Sequence, residues 1–190
     1  MSSKSHILGR IRGNKPGPRA LPTLPPDPAA GTREQWEPAF RAVLTGSKSG
    51  FITPDALSGH VAAYGPDATI VSTVPEVAGN LYLGTVTDPL QLAGVDVTVL
   101  RARLGVAENG AMWVSETEAV HRVLPFITQH LVLVVRTSDL VGTMHEAYRR
   151  IDVAETGFGV FIAGPSKTAD IEQSLVIGAH GPRSLTVCLG

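Results

Sequence analysis

Cysteine is almost absent. Cys188 is the only one in 190 residues. An iron–sulfur cluster takes about four thiolates, so this chain alone is not expected to carry one. Cys188 itself lies in the apolar stretch "LTVCL" and is expected to be a small buried hydrophobe rather than a reactive thiol. An excess of charge of either sign is also missing: the net charge is −1 and the pI about 6.6. That balance lacks the basic field a nucleic-acid partner requires. No apolar run reaches the roughly 18 residues of a membrane span. The opening "MSSKSHILGRIRGNK" has no apolar signal-peptide core. The expectation is a cytoplasmic protein with no membrane span. A G-x-G-x-x-G is absent, and with it any nicotinamide or flavin fingerprint. His121, His130 and His145 fall at no metal-ligand spacing, so no metal site and no cofactor is expected in this chain.

Apolar material is plentiful at 43%, enough for one sizeable core. "SHILGRIR" puts Ile7, Leu8 and Ile11 on one helical face, with Lys4, Arg10 and Arg12 elsewhere. This predicts a short N-terminal amphipathic helix within residues 1–13. Docking on the body is the simpler use for it, docking on a partner the other. Residues 14–31 carry prolines at 16, 18, 22, 25, 26 and 28 together with glycines, and are expected to form an irregular, mobile arm. The globular domain is expected over 32–190. Its first helix has Thr32 as N-cap with Gln35 three residues on, then Trp36, Phe40, Val43 and Leu44 at helical spacing, and Gly46 at its end. Thr53 and Pro54 start a second.

β-branched runs follow: "ATIVST", "VDVTVL", "AMWVS", "LVLVV", "GVFIAG" and "LTVCL". They are near-continuous in hydrophobicity, as strands buried on both faces are. Helical patterns lie between some of them, notably "DLVGTMHEAYRRID" and "TADIEQSLVIG". The expectation is an α/β fold, three-layer α/β/α, with a largely parallel sheet. Ligands of such sheets sit beyond the strand C-terminal ends, so loops that follow strands are the places to look for chemistry.

The stretch "GPSKTADIEQSLVIGAHGP", residues 164–182, is one such place. A P-loop is excluded, because Gly164 alone precedes Lys167 and the second glycine is missing. Ser166 or Thr168 is expected to cap a helix, with Asp170 and Glu172 as first-turn carboxylates that complement its dipole. Equally open is a polar pocket made by Gly164, Pro165, Ser166, Lys167, Thr168 and Asp170 at a strand's end, with His180 and Gly181 nearby. Such a loop suits a small hydroxylated carboxylate better than a polyphosphate. A second place is Glu108-Asn109-Gly110, ahead of "AMWVS". Glu108 is either a nucleophile or general base or the solvated shoulder of a turn. Arg122 is placed to clamp a carboxylate.

Three pieces, "GVAENGAMWV", "HRVLPFITQHLVLVV" and "FIAGPSKTADIEQSLVIGAHGP", together resemble the lactate utilization protein C family, the stand-alone LUD-domain proteins of bacteria. The "ILGRIR" helix and the proline-rich segment after it look like that family too. The resemblance implies a fold similar to sugar-phosphate isomerases and CoA transferases. It implies a part in oxidising lactate to pyruvate beside iron–sulfur partner proteins. CoA transferases of this fold use the glutamate of a Glu-Asn/Ser-Gly turn as nucleophile, and Glu108-Asn109-Gly110 is similar. Many members of the lactate family have Thr-Gly at the later two positions, so "ENG" departs from their pattern. For an α-hydroxy acid, Glu108 or His180 would serve as base and Arg122 or Lys167 as cation. A metabolite-binding assembly or regulatory module, and an acyl-CoA-using enzyme, are the alternatives. The segments holding Glu108, residues 164–170 and His180 are expected to converge at the strands' C-terminal edge.

Overall fold

The computed structural model describes residues 2–20, 22, 31–171 and 174–190. Helix α1 (Ser3–Gly13) is capped by Ser2, whose hydroxyl accepts from the Ser5 amide, and buries none of its residues. The amphipathic pattern therefore makes a helix that does not dock on the body. Of the proline-rich arm, residues 21 and 23–30 lie outside the described residues; the rest has no helix or strand after α1.

The body begins with α2 (Arg33–Gly46), opened by the Thr32/Gln35 capping box and burying Phe40 and Leu44. Then come β1 (Gly50–Ile52), a 3-10 turn led by Pro54, α3 (Leu57–Ala62), β2 (Ile70–Ser72) and β3 (Val97–Arg101). The strands β4 (Leu104–Val106) and β5 (Met112–Ser115) form a hairpin, followed by short helices α4 (Glu116–Ala119) and α5 (Leu124–Ile127). After β6 (His130–Val135) and β7 (Leu140–Val141) come α6 (Met144–Arg150), α7 (Val153–Thr156) and β8 (Gly159–Ile162). The chain ends with β9 (Lys167–Ile171), β10 (Ser174–Ile177) and β11 (Ser184–Leu189).

The central sheet has order β1-β11-β6-β3-β2, and every pair in it is parallel. Its strands are apolar on both faces for a reason visible in β6. Leu131, Leu133 and Val135 pack with Phe40, Leu44 and Met112, whereas Val132 and Val134 pack with Leu57 and Val61 of α3. A residue alternation of two thus serves two separate cores. Cys188, in β11, is 1% exposed, and burial pushes its thiol pKa up. The fold is α/β with a largely parallel sheet, as the strand pattern predicts.

A second sheet, order β7-β4-β5-β8, accounts for two of the expected strands, "AMWVS" and "GVFIAG". They pair with each other antiparallel, Met112 opposite Ile162 and Ser115 opposite Gly159. One face of this sheet joins the core under the parallel sheet; the other packs Trp113 and Phe161 against Met144, Ala147 and Ile151.

One expected element is corrected. "TADIEQSLVIG" is not a helix. Lys167–Ile171 and Ser174–Ile177 form an antiparallel two-stranded hairpin, with Lys167 opposite Ile177 and Thr168 opposite Val176. Ser166 and Thr168 therefore cap no helix, and Asp170 stands in a strand rather than in a first helical turn. Glu172 lies outside the described residues. The apolar spacing of this segment fits either period, and pairing with a neighbouring strand decides it.

Candidate functional site

A cleft of about 390 Å³ opens in the seam between the two sheets, along the free edge of β8. Val160, Phe161 and Ile162 of β8, Leu131 of β6 and Phe126 of α5 give it an apolar wall. Ser166, Lys167 and His180 give it its polar side, with Gly164, Pro165 and Gly181 between them. Among the described residues no aspartate or glutamate lines it. Lys167 and His180 are exposed at the rim, while Pro165 and Pro182 are buried and anchor the loop from both ends.

The loop is held in place by backbone bonds. The Ser166 amide donates to the Pro182 carbonyl and the Gly178 amide to the Ser166 carbonyl, both at 2.9 Å. Gly164 has φ +114°, a conformation that side-chain-bearing residues rarely adopt, and an added Cβ would stand 3.0 Å from Ser47 Cβ. Ser166 is thus fixed through its main chain, at a position that lines the cleft. The cation-bearing rim, with no carboxylate among the described lining residues, favours an anion. The apolar wall favours a small organic one.

Other residues singled out from the sequence are brought to different places. The turn at Glu108 does reach the same end of the second sheet as Gly164, because β5 and β8 run antiparallel. Gly110 meets Leu44 and Val43 of α2, and Gly164 meets Ser47 just past that helix. Yet the Glu108 carboxylate turns the other way. Its Oε1 accepts from the Met144 amide at 2.7 Å, at the first residue of α6. That helix follows β7, and β7 and β8 are three strand spacings apart, about 14 Å. Asn109 Oδ1 accepts from the Ala111 amide at 3.0 Å, and the Gly110 amide donates to the Val106 carbonyl at 2.8 Å. Glu108, Asn109 and Gly110 do not line the cleft, and neither does Thr168, half-buried in β9.

Arg122 is also elsewhere. Its Nε lies 2.6 Å from Glu116 Oε2, and its guanidinium sits over the Phe158 ring at 5.3 Å. The Glu116 amide donates to the Phe158 carbonyl at 2.9 Å, so the pair braces the entry into β8. Glu118 closes a capping box on Ser115 and pairs with Arg103 at 3.1 Å. His130 stands at the start of β6, with Nδ1 2.8 Å from Ser184 Oγ and its ring against Tyr64 at 4.7 Å. Burial, then the Arg183 charge, holds its pKa below the ordinary value. Among the described residues no cluster of His, Cys, Asp and Glu could hold a metal ion.

The expected edge is corrected as well. The cleft adjoins the N-terminal ends of β6 and β11, at Leu131 and Pro182, not the C-terminal edge of the parallel sheet. The loop that supplies Ser166 and Lys167 follows β8, which belongs to an antiparallel pair, so the parallel-sheet rule does not govern it. Sequence reasoning missed Phe126 and Pro182, for which proximity to the starts of β6 and β11 was the available signal.

Residues 90–189 match the LUD domain family. A lactate utilization protein C of Shouchella clausii is 34% identical over 93 residues, covering 46% of this chain and 40% of that protein. One of Geobacillus thermodenitrificans is 29% identical over 153 residues, covering 67% and 64%. The chain spans about two fifths of the length of several curated relatives it matches. A crystal structure of a DUF162 family protein from Deinococcus radiodurans superposes with TM-score 0.60 over 84% of this chain and 98% of that one, at 18% identity, and so shares the fold. With the matched region covering β3, both strands of the cleft's seam and the loop that shapes it, the chain belongs to the LUD domain family.

Proposed function

We propose that the chain serves lactate utilization by holding a small 2-hydroxycarboxylate in the cleft beside β8. The observation that carries this is the lining: Lys167, His180 and Ser166 opposite an apolar wall, with no carboxylate among the described lining residues. The Lys167 ammonium takes the ligand carboxylate. The Ser166 hydroxyl bonds the ligand hydroxyl, and His180 accepts that group's proton. Oxidising a 2-hydroxy acid to a 2-oxo acid releases two protons and two electrons. In this reading His180 takes the hydroxyl proton, the C2 proton is lost to water, and the two electrons leave one at a time through iron–sulfur partner proteins, with no redox cofactor in this chain itself. The names of its relatives, lactate utilization protein C, support the system, and the chemistry of the lining supports the ligand class. A cytoplasmic location belongs to the same reading.

A second reading is an assembly or regulatory module that binds the metabolite without turning it over; the exposed positions of Lys167 and His180 favour it, since both stay in contact with water. The acyl-CoA reading loses support from the capping bond of Glu108 to Met144. Calorimetric titration with L-lactate and with propionate, which lacks the hydroxyl, tests the ligand class. Lactate is expected to bind, with about tenfold loss in Lys167→Ala and a smaller loss in Ser166→Ala. Equal affinity for propionate, or unchanged lactate binding in Lys167→Ala, would sink the assignment. In cells, His180→Ala that binds lactate normally but abolishes lactate-dependent growth separates catalysis from mere binding.

A further inference from the structure

We infer that residues 2–20 form a basic element that docks on an anionic bilayer surface. The near-zero net charge of the chain conceals a sharp division. Of its 16 Lys and Arg, five stand in residues 1–20: Lys4, Arg10, Arg12, Lys15 and Arg19. The first acidic residue is Asp27, so the other 11 cations face all 17 Asp and Glu in residues 21–190, a net of −6 there. None of the five makes an ion pair among the described residues. The helix they surround buries nothing, and Ile7, Leu8 and Ile11 are 56%, 39% and 54% exposed. Lys4 stands on the same side of the helix, three and four residues before Ile7 and Leu8, so α1 presents a mixed basic and apolar surface that meets no core.

Charge and geometry together favour lipid over a protein groove. A helix that fits a protein groove reads as anchors at i, i+3, i+4 and i+7 over two turns. Here the apolar side chains fall at 7, 8 and 11, within little more than one turn. Two cations, Lys15 and Arg19, lie beyond the helix in chain without regular structure. A rigid partner must match both segments in shape. A fluid anionic surface engages helical and irregular cations alike, each adding a similar increment. Long Lys and Arg stems let the aliphatic residues sink while the charges stay at headgroup level. At about 16 Å the helix is too short to cross the roughly 30 Å hydrocarbon core, so it lies in the plane of the interface. The acidic body is repelled by the same surface only within about a Debye length of 8 Å at physiological salt. The proline-bearing segment after Arg19 separates the two.

The test is co-sedimentation of the full chain with vesicles of phosphatidylcholine alone and of phosphatidylcholine with about one third phosphatidylglycerol. Retention at least about tenfold greater on the anionic vesicles is expected, lost when salt rises from roughly 50 to 500 mM. Arg10→Glu with Arg12→Glu, and separately Ile7→Asp with Ile11→Asp, should each lower retention about tenfold while the melting temperature stays unchanged, because α1 buries nothing. Equal retention on both vesicle types, no retention, or retention indifferent to either pair of substitutions would overturn the inference. Sedimentation velocity covers the competing occupant: a dimer of the wild-type chain that the same substitutions dissolve would assign α1 to the acidic body of a second copy and overturn docking on lipid.

Discussion

The turn at Glu108–Gly110 and the loop at Gly164–Lys167 lie at one end of the second sheet, and both are crowded with residues of chemical interest. They differ in what their polar atoms already do. In the turn, the Glu108 carboxylate caps α6, the Asn109 side chain closes on the Ala111 amide, and Gly110 is wedged against Leu44. In the loop, the backbone is satisfied through Pro182 and Gly178, and Ser166, Lys167 and His180 line a cleft. A glutamate in a suggestive triplet is a poor candidate once one of its oxygens is engaged in holding a helix start. A lysine and a histidine with no ion pair or side-chain hydrogen bond among the described residues are better ones.

The contrast is sharpest in stability. Gly110 has φ +70°, and an added Cβ would lie 2.8 Å from Leu44 Cγ, in the main core. Gly110→Ala should cost about 2–4 kcal/mol from left-handed strain plus overpacking. The thermal midpoint should fall by roughly 5–15 °C. Ser166→Ala in the loop should stay within about 0.5 kcal/mol. A calorimetric scan in which both variants melt like the parent would remove the distinction between a locked turn and a free-handed loop.

Glu108→Ala should give the next largest change. It removes the acceptor for the Met144 amide and should lower stability by about 1 kcal/mol. Lactate binding should remain intact, whereas Lys167→Ala, at an exposed position, should leave stability unchanged and weaken binding. Lost binding in a Glu108→Ala protein that still melts cooperatively would put Glu108 back in the site.

The smallest effect concerns a histidine outside both regions. His130 is held below the ordinary value of 6.5, chiefly by burial. A depressed folded-state pKa means that the unfolded chain takes the proton first as pH falls. The stability that His130 contributes is therefore complete above about 6.5 and is lost as pH falls from there through the folded-state value. His130→Gln should flatten that acid-side loss in urea titrations between about pH 7 and pH 5 and leave the cleft's affinity unchanged. An acid-side slope identical to that of the parent would show that His130 does not drive it.

Much of the body was legible in the chain. The Thr32/Gln35 box and the spacing of Phe40 and Leu44 are local signals, and local hydrogen bonding and burial realise them directly in α2. The runs "LVLVV" and "LTVCL" are apolar at every position because both faces of β6 and β11 are covered, so their composition records their burial. The low charge and single cysteine likewise set bounds that no folding changes. Tertiary structure alone decided the rest. Residues 167–177 carry apolar spacing compatible with helix or strand, and only the pairing of Lys167 with Ile177 makes them a hairpin. Whether "GVFIAG" joins a parallel or an antiparallel sheet depends on its partner β5, and that choice moved the cleft from one end of the central strands to the other. The direction of the Glu108 carboxylate depends on where α6 begins, 36 residues later. Contacts between residues far apart in the chain leave no mark on the local pattern at either end, so the sequence fixes which groups exist while the fold fixes which of them remain free.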